Sequence, residues 1–316
     1  MRTLSTIFAA GIRVRNALYD HHVFKVRRLS RPVVSIGNIS LGGSGKTPFV
    51  IALGELLKQR GIAFDVLSRG YGRNSAGAAV VDPQGTPDQF GDEPLLMARK
   101  LQVPVVVGAD RYRAGLLAEK QFNTRLHLLD DGFQHRRLHR DFDIVMLPAA
   151  DLHDTLLPLG RLREPISALR RADAVVMSAT EQVESAPRLG APENLWIGRR
   201  MLQVDKAAGK AVAFCGIARP EQFFSQLKSL NIDLSSTITF RDHHRYSQRD
   251  IDRLLNVKRT AGADCFVTTE KDLINLTTLS DRLQPLHVAS LRLVLETDTA
   301  VGSLIKTLEQ RCGCRF

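Results

Sequence analysis

The sequence lacks any apolar run that could cross a membrane. A spanning helix needs roughly 20 consecutive apolar residues, and no stretch of the 316 residues approaches that length. The segment Thr3–Ile12 is short and apolar, but Arg13 and Arg15 follow it and no small-x-small cleavage site appears. We therefore expect neither a transmembrane protein nor a secretory signal peptide.

Cysteine is also scarce. The chain has four cysteines, which are Cys215, Cys265, Cys312 and Cys314. They show no zinc-ligand spacing and are too few to form a disulfide framework in a chain of this length. The C-G-C near the end is a weak hint of metal or redox chemistry. We expect a reduced, cytosolic compartment.

Internal repeats and low-complexity tracts are absent, and the composition is that of an ordinary globular protein. The chain is 44% hydrophobic and 24% charged, with a mean hydropathy of −0.10. Its most distinctive bulk property is a net charge of +11. A strongly basic protein suits an anionic partner, although charge alone does not choose between a nucleotide, a lipid surface and a nucleic acid.

The first thirty residues combine an apolar stripe with positive charge. Six residues fall near one face of a 3.6-period helix: Leu4, Ile7, Phe8, Gly11, Val14 and Leu18. Seven basic residues occur up to Arg31, against the single acid Asp20. A helix of this kind can lie in a membrane interface or can pack its apolar face on the protein's own core. The pattern leaves both alternatives open.

A glycine-rich loop follows the first predicted strand. In "VVSIGNISLGGSGKTPFVIALGELL", the run Val33–Ile36 suits a buried parallel strand and helical spacing begins at Lys46. The loop resembles the phosphate-binding pattern G-x-x-x-x-G-K-[ST], except that Ser40 takes the place of the first glycine. The alternative is a purely structural glycine-rich turn.

The residue types in this loop suit a triphosphate. Main-chain N–H groups can converge on phosphate oxygens only where side chains are absent, as at Gly42, Gly43 and Gly45. Lys46 would reach the β- and γ-phosphates, and Thr47 would offer a hydroxyl to Mg²⁺.

Acids follow a later predicted strand. The apolar run before Asp130 and Asp131 would place both carboxylates at the carboxyl end of a parallel strand, facing the nucleotide crevice. One of them would then serve Mg²⁺. The alternative is an ordinary acidic turn before Gly132.

Two further acidic fragments are less informative. Asp92 precedes a predicted helix, and Asp242-His243-His244 lacks the i,i+4 spacing of a helical zinc pair. From spacing alone, a capping or surface role is favoured for both fragments.

The order of predicted strands indicates a parallel α/β fold. Six strands precede a polar, proline-rich stretch: Val33–Ile36, Phe64–Ser68, Val103–Val107, Leu126–Asp130, Ile144–Leu147 and Ala174–Met177. Three more follow it: Lys210–Ile217, Ser235–Phe240 and Asp264–Asp272. We predict four parts: a basic amphipathic segment (1–30), a P-loop core (31–178), a linker (179–205) and a smaller second α/β lobe (206–316).

Seven collinear motifs resemble those of one family, the tetraacyldisaccharide 4'-kinases of Gram-negative bacteria. They are GNISLGGSGKTP (37–48), SRGYG (68–72), GDEP (91–94), DDGFQH (130–135), LPLGRLREP (157–165), DHH (242–244) and TTEKD (268–272). In that family the opening position of the loop is likewise Ser or Thr. The resemblance implies a P-loop NTPase-type parallel sheet with helices on both faces and a second smaller lobe.

The resemblance also implies a reaction and a set of site residues. The family transfers the γ-phosphate of ATP to the 4'-hydroxyl of an acylated glucosamine disaccharide 1-phosphate, at the cytoplasmic face of the inner membrane. Asp92 would be the base and His243 its partner. The other implied residues are the ATP-binding loop Ser40, Leu41, Gly42, Gly43, Ser44, Gly45, Lys46 and Thr47, the Mg²⁺ site Thr47, Asp130 and Asp131, and the lining residues Gln134, His135, Arg163 and Glu164.

Partners follow from the same resemblance: the lipid substrate and the membrane surface, with no nucleic acid and no dedicated protein partner. One rival is a P-loop GTPase of the metallochaperone kind, with Cys312 and Cys314 as metal ligands. Guanine recognition usually uses N-K-x-D, and TTEKD places Lys271 directly beside Asp272. The second rival, a basic membrane- or nucleic-acid-binding module without catalysis, leaves the glycine loop unexplained.

Overall fold

A single twelve-stranded sheet organises the chain in the computed structural model, which describes residues 2–74, 76–179, 195–205, 209–296 and 299–316. The strand order is β10-β9-β11-β12-β8-β7-β6-β1-β5-β2-β4-β3. The strands are β1 (Val33–Asn38), β2 (Phe64–Ser68), β3 (Ala79–Val80), β4 (Val105–Val107), β5 (Leu126–Asp130), β6 (Phe142–Met146), β7 (Ala174–Ser178), β8 (Leu195–Val204), β9 (Ala211–Cys215), β10 (Leu234–Thr239), β11 (Cys265–Thr269) and β12 (Leu286–Leu295).

Helices connect the strands. They are α1 (Arg2–Asp20), α2 (Lys46–Gln59), α3 (Pro87–Phe90), α4 (Asp92–Leu101), α5 (Arg111–Gln121), α6 (Pro220–Ser229), α7 (Gln248–Thr260), α8 (Glu270–Leu276) and α9 (Thr299–Cys312), with 3₁₀ turns at Ala149–His153, Ile166–Arg171 and Thr277–Arg282. Strands β1, β2, β5 and β6 are buried along their whole length. Strands covered on both faces read as continuous apolar runs, which is why the sequence predicted them.

All nine predicted strands are present, with small shifts at their ends. The last of them was predicted too long. The range Asp264–Asp272 contains β11 only as far as Thr269, and α8 begins at Glu270. The side chain of Thr269 caps this helix by accepting a hydrogen bond from the N–H of Asp272.

Strands β8 and β12 were not predicted. Each has ten residues, and they pair antiparallel from Ala289–Val204 to Leu295–Gly198. Because β8 also pairs with β7 and β12 with β11, these two strands join both halves into one sheet. Strand β8 occupies 195–204 of the range 179–205 that was predicted as a linker, while residues 180–194 of that range lie outside the described residues. The division into lobes stays a prediction.

Helix α1 makes several polar contacts with the rest of the protein, and its Tyr19 is buried. Arg15 donates to the carbonyl of Gln134 at 2.6 Å, Asn16 donates to Glu164 at 3.1 Å, and Asp20 accepts from Arg136 at 2.7 Å. Leu4, Ile7 and Val14 from the predicted apolar stripe remain more than half exposed. Among the described residues, no helix is long and apolar enough to span a bilayer.

Candidate active site

The glycine loop connects β1 to α2, as the strand–loop–helix pattern predicted. Gly42 has a φ of 102° and Gly45 a φ of 87°, in the left-handed region that favours glycine. Gly45 is the N-cap of α2, and no side chain caps this helix end. Its first N–H groups therefore remain available to an anion.

Ser40 replaces the usual first glycine for a structural reason. Its hydroxyl donates to Oδ2 of Asp151 at 2.5 Å, and both side chains are buried. The N–H of Leu41 donates to the carbonyl of Arg161 at 2.8 Å. The start of the loop is thus held by the segment after β6, which sequence reasoning did not connect with it.

Arg200 is a second loop partner that sequence reasoning missed. This residue of β8 donates from its guanidinium to the carbonyl of Ser44. A Cβ atom added to Gly45 would lie 2.6 Å from Nη2 of Arg200. Any side chain at this position would therefore have to displace the arginine.

Lys46 and Arg163 converge on Asp131. Nζ of Lys46 lies 3.4 Å from Oδ1 of Asp131, and Nη2 of Arg163 donates to the same oxygen at 3.0 Å. Asn38, which the sequence analysis did not single out, accepts from both cations, with a distance of 3.2 Å to Lys46. Burial would raise the pKa of Asp131, but the two cations outweigh burial and hold that pKa well below its usual range.

Asp130 has the opposite environment. Burial, together with the charges of Glu93 and Asp131, raises the pKa of Asp130 to about 7. Its Oδ2 accepts a hydrogen bond from Ser68 at 2.9 Å. Its Oδ1 is buried and has no hydrogen-bond partner among the described residues. An unpaired buried carboxylate oxygen is costly unless a further donor or cation binds there.

These acids fit a magnesium ion bound together with a nucleotide. Within the described ranges, no three or more His, Cys, Asp or Glu side chains are grouped to hold a metal. Mg²⁺ does not need such a group, because it is usually held by one or two carboxylates together with phosphates and water. The orphaned Oδ1 of Asp130 and the neighbouring Asp131 supply that donor set.

Asp92 and His243 lie in direct contact. Nδ1 of His243 is 2.8 Å from Oδ2 of Asp92 and 3.0 Å from Oδ1. Nδ2 of Asn275 also donates to Oδ2 of Asp92 at 3.1 Å. The capping hypothesis for Asp92 is wrong, because Gly91 is the N-cap of α4 and the Asp92 side chain is only 2% exposed.

The contacts of Asp92 keep it ionised. Burial opposes ionisation, but the hydrogen bond from His243 and the charge of Lys271 outweigh it and lower the pKa of Asp92 to about 2. The backbone of His243 has a φ of 58°, and its N–H donates to the carbonyl of Gly216 at 3.1 Å. A left-handed conformation held in this way is unusual for a residue other than glycine.

The remaining predicted site residues have different surroundings. Gln134 donates to the carbonyl of Asn38 at 2.8 Å and so borders the loop. Burial and the nearby Arg111 lower the pKa of His135 to about 4. Glu164 is buried, and its carboxylate accepts from Arg171 and Asn16. Their roles in the reaction stay predictions.

The C-G-C cysteines are free thiols. Sγ of Cys312 lies 3.5 Å from Oδ1 of Asp141. Burial and this carboxylate raise the pKa of the Cys312 thiol to about 11. A thiolate is the form that binds metals, and these surroundings oppose it.

Comparison with known proteins identifies the family. The family model described as tetraacyldisaccharide-1-P 4'-kinase matches residues 1–310. The chain belongs to this family. It is therefore a kinase, as the motif resemblance implied.

Individual relatives agree with this family assignment. The chain is 48% identical to a tetraacyldisaccharide 4'-kinase from Koribacter versatilis, over 99% of this chain and 100% of the relative. It is 38% identical to one from Aquifex aeolicus, over 86% and 88% of the two chains. A crystal structure described as the "apo" form of LpxK from Aquifex aeolicus in complex with ATP matches with a TM-score of 0.81 and 35% identity, covering 96% of each chain. The predicted P-loop kinase fold, with a large and mostly parallel sheet, is confirmed.

Proposed function

We propose that this kinase transfers the γ-phosphate of ATP to the 4'-hydroxyl of tetraacyl glucosamine disaccharide 1-phosphate, a step of lipid A biosynthesis. The observation that carries the proposal is the contact of the partly exposed His243 with the buried Asp92, in a chain with a glycine loop of the phosphate-binding pattern. Family membership and the named activity of the relatives support the same acceptor.

ATP would bind at the glycine loop and the start of α2. The main-chain N–H groups around Gly45 and the ammonium of Lys46 would bind its phosphates. The match to the Aquifex aeolicus structure, which contains ATP, supports this assignment. Lys46 would exchange its contacts with Asn38 and Asp131 for phosphate oxygens.

Thr47, Asp130 and Asp131 would hold Mg²⁺. The ion would neutralise charge on the phosphates. Arg163 would add a second cation at the same place, because its guanidinium already contacts Asp131. A planar guanidinium suits the spread charge of a transferring phosphoryl group.

Asp92 would accept the proton of the attacking sugar hydroxyl. A carboxylate with a pKa of about 2 is ionised at neutral pH, and it gains the proton as the hydroxyl becomes a phosphate ester. His243 would orient this carboxylate through the contact at Nδ1. We infer that the site lies between the P-loop core, which supplies Asp92, and the second lobe, which supplies His243.

The basic amino-terminal segment would place the kinase on the cytoplasmic face of the inner membrane. Leu4, Ile7 and Val14 are exposed on α1, while Val23 and Phe24 are exposed just after it. Lipid contact would bury these side chains, and anionic headgroups would attract the adjacent arginines and lysine. This placement suits a substrate whose acyl chains stay in the bilayer.

The direct test is incubation of the full chain with γ-labelled ATP, Mg²⁺ and the disaccharide 1-phosphate lipid in detergent micelles. Label should appear on the lipid, and Lys46→Ala should abolish it. Omitting the lipid controls for ATP hydrolysis. Labelled inorganic phosphate without labelled lipid, at every lipid concentration, would contradict the proposed acceptor.

A further inference from the structure

Lys271 lies at the centre of an ionic cluster beside the proposed catalytic pair. Its Nζ donates to Oε1 of Glu93 at 3.1 Å and lies 3.6 Å from Oδ1 of Asp242 and 4.0 Å from Oδ2 of Asp92. Nζ is also 3.2 Å from Nε2 of His243. The side chain is 18% exposed, and α8 directs it toward the first turn of α4.

The contact between Lys271 and His243 determines which ring nitrogen carries the hydrogen when the imidazole is neutral. An ammonium group can only donate hydrogen bonds, so Nε2 of His243 has to accept in this contact. The neutral ring then carries hydrogen on Nδ1, which is the nitrogen facing Asp92. The other neutral tautomer would place a donor against the ammonium and a lone pair against the carboxylate.

We propose that Lys271 is a positioning residue for the kinase, which holds His243 as the Nδ1–H tautomer so that the ring donates to Asp92. This inference rests on the proposed roles of Asp92 and His243 in proton transfer. Lys271 touches neither the sugar hydroxyl nor the phosphates in this account, and it acts through the imidazole. A fixed donor at Nδ1 keeps the Asp92 carboxylate in one orientation.

The charges around His243 predict the direction in which its pKa should move when Lys271 is replaced. Four titratable groups surround the ring: Asp92 of α4, Asp242 of its own loop, the ammonium of Lys271 in α8, and Tyr71, whose ring centroid lies 5.4 Å from that of His243. Burial and the Lys271 ammonium disfavour the imidazolium, but Asp92 and Asp242 outweigh them and raise the pKa of His243 above its usual value. Removing the ammonium should therefore make His243 easier to protonate.

Lys271 could also act only by joining α8 to α4 through its ion pair with Glu93. This structural role can be tested separately from the positioning role, because a second ion pair joins the same two helices. Lys100 of α4 contacts Glu270 of α8. Lys100→Met removes an ion pair between the same two helices without touching His243. It is the matched control for Lys271→Met, and Lys271→Arg tests rescue by another donor.

The first experiment measures the His243 ring directly, by ¹⁵N NMR of histidine-labelled full-length protein, with the signal assigned by its loss in His243→Asn. At pH 9 the wild type should show a protonated Nδ1 and an unprotonated Nε2. In Lys271→Met the titration of His243 should move to higher pH and the tautomer preference should weaken, whereas Lys100→Met should match the wild type. A wild-type Nε2–H tautomer would overturn the proposal, even if a variant fails to fold.

The second experiment measures turnover. Lys271→Met should lower kcat about 10- to 100-fold, by analogy with the cost of removing a residue that orients a metal-binding histidine, with the KM for ATP nearly unchanged. Lys271→Arg should recover part of the loss. Equal losses in Lys100→Met and Lys271→Met would overturn the positioning role. The NMR experiment does not use the lipid acceptor. If the proposed lipid reaction fails, the tautomer of His243 can therefore still be tested.

Discussion

Nδ1 of His243 lies 2.8 Å from Oδ2 of Asp92, although 151 residues separate them in the chain. Three residues surround this carboxylate: His243 from the loop after β10, and Lys271 and Asn275 from α8. The pair therefore exists only when the two halves of the molecule are assembled.

Asp92→Asn should lower kcat by about 10²- to 10⁴-fold, the usual contribution of a general base. The KM for ATP should change little, because Asp92 contacts neither the glycine loop nor Lys46. His243→Ala should cost less, since the side-chain amide of Asn275 still donates to the carboxylate. Steady-state kinetics at varied ATP would measure this. The exposed Asp252→Asn is the control, and near-normal turnover of Asp92→Asn would remove Asp92 from the mechanism.

Asp130 should make the metal-free protein less stable as the pH rises. Its pKa is about 7 in the folded protein, against an ordinary value of 3.8 for an aspartate. Between these values the folded protein keeps a proton that the unfolded chain has released, so raising the pH favours unfolding. A pKa difference of about three units lowers the free energy of unfolding by about 4 kcal/mol at most.

Asp130→Asn should therefore be more stable than the wild type at pH 8 in EDTA, with the difference shrinking toward pH 4. Urea unfolding at a series of pH values would measure it. Adding Mg²⁺ with ATP at pH 8 should stabilise the wild type more than the variant. Two stability curves that stay parallel from pH 4 to pH 8 would contradict the unusual protonation of Asp130.

Gly45→Ala should weaken nucleotide binding at least tenfold. The new methyl group would collide with Arg200 and would occupy a backbone with a φ of 87°. Titration with a fluorescent ATP analogue would measure the loss. Gly61→Ala is the control, because Gly61 has a φ of 70° but open space around it. That variant should lose about 1 kcal/mol of stability and bind the nucleotide normally.

Adding Arg200→Ala to Gly45→Ala should restore part of the binding, since it removes the collision and leaves only the backbone strain. No recovery in the double variant would mean that the conformation alone excludes a side chain at Gly45.

Replacing the exposed apolar residues of α1 should weaken membrane binding. Ile7 and Val14 are 63% and 60% exposed, and lipid contact would remove their apolar surface from water. Ile7→Ser/Val14→Ser should release the protein from anionic liposomes in a flotation assay. Added salt should also weaken binding by screening the basic residues.

Leu230→Ser/Val294→Ser is the matched control for that experiment. Both side chains are nearly half exposed, and both belong to the second half of the chain. This control should bind liposomes like the wild type. If the α1 variant also binds normally, the amino-terminal segment is not the membrane contact.

The nucleotide loop could be predicted because its parts are neighbours in sequence. A buried strand, three glycines and a helix that begins at Lys46 follow one another within β1 and α2. The position of Asp130 and Asp131 along the chain could be predicted for the same reason, because Asp130 ends β5, which pairs with β1, and Asp131 follows it. Short-range order and apolar runs carry this information.

Strands β8 and β12 were not predicted because their pattern of apolar and polar residues is weak. Both are partly exposed antiparallel strands, and β8 alternates buried and half-exposed residues only in its first part. Without these strands, the contact of Arg200 with the loop could not be foreseen. Spacing also misled the interpretation of Asp92, which was expected to cap α4.

The sequence by itself determined a phosphate-binding loop, a parallel α/β core and, through its ordered motifs, the kinase family. Only the tertiary structure decided that Asp92 meets His243, that Lys271 faces the other nitrogen of that ring, and that Arg200 closes against Gly45. The physical reason is the register of one continuous sheet. It brings together side chains from distant segments, and no local pattern in the chain records which of them will touch.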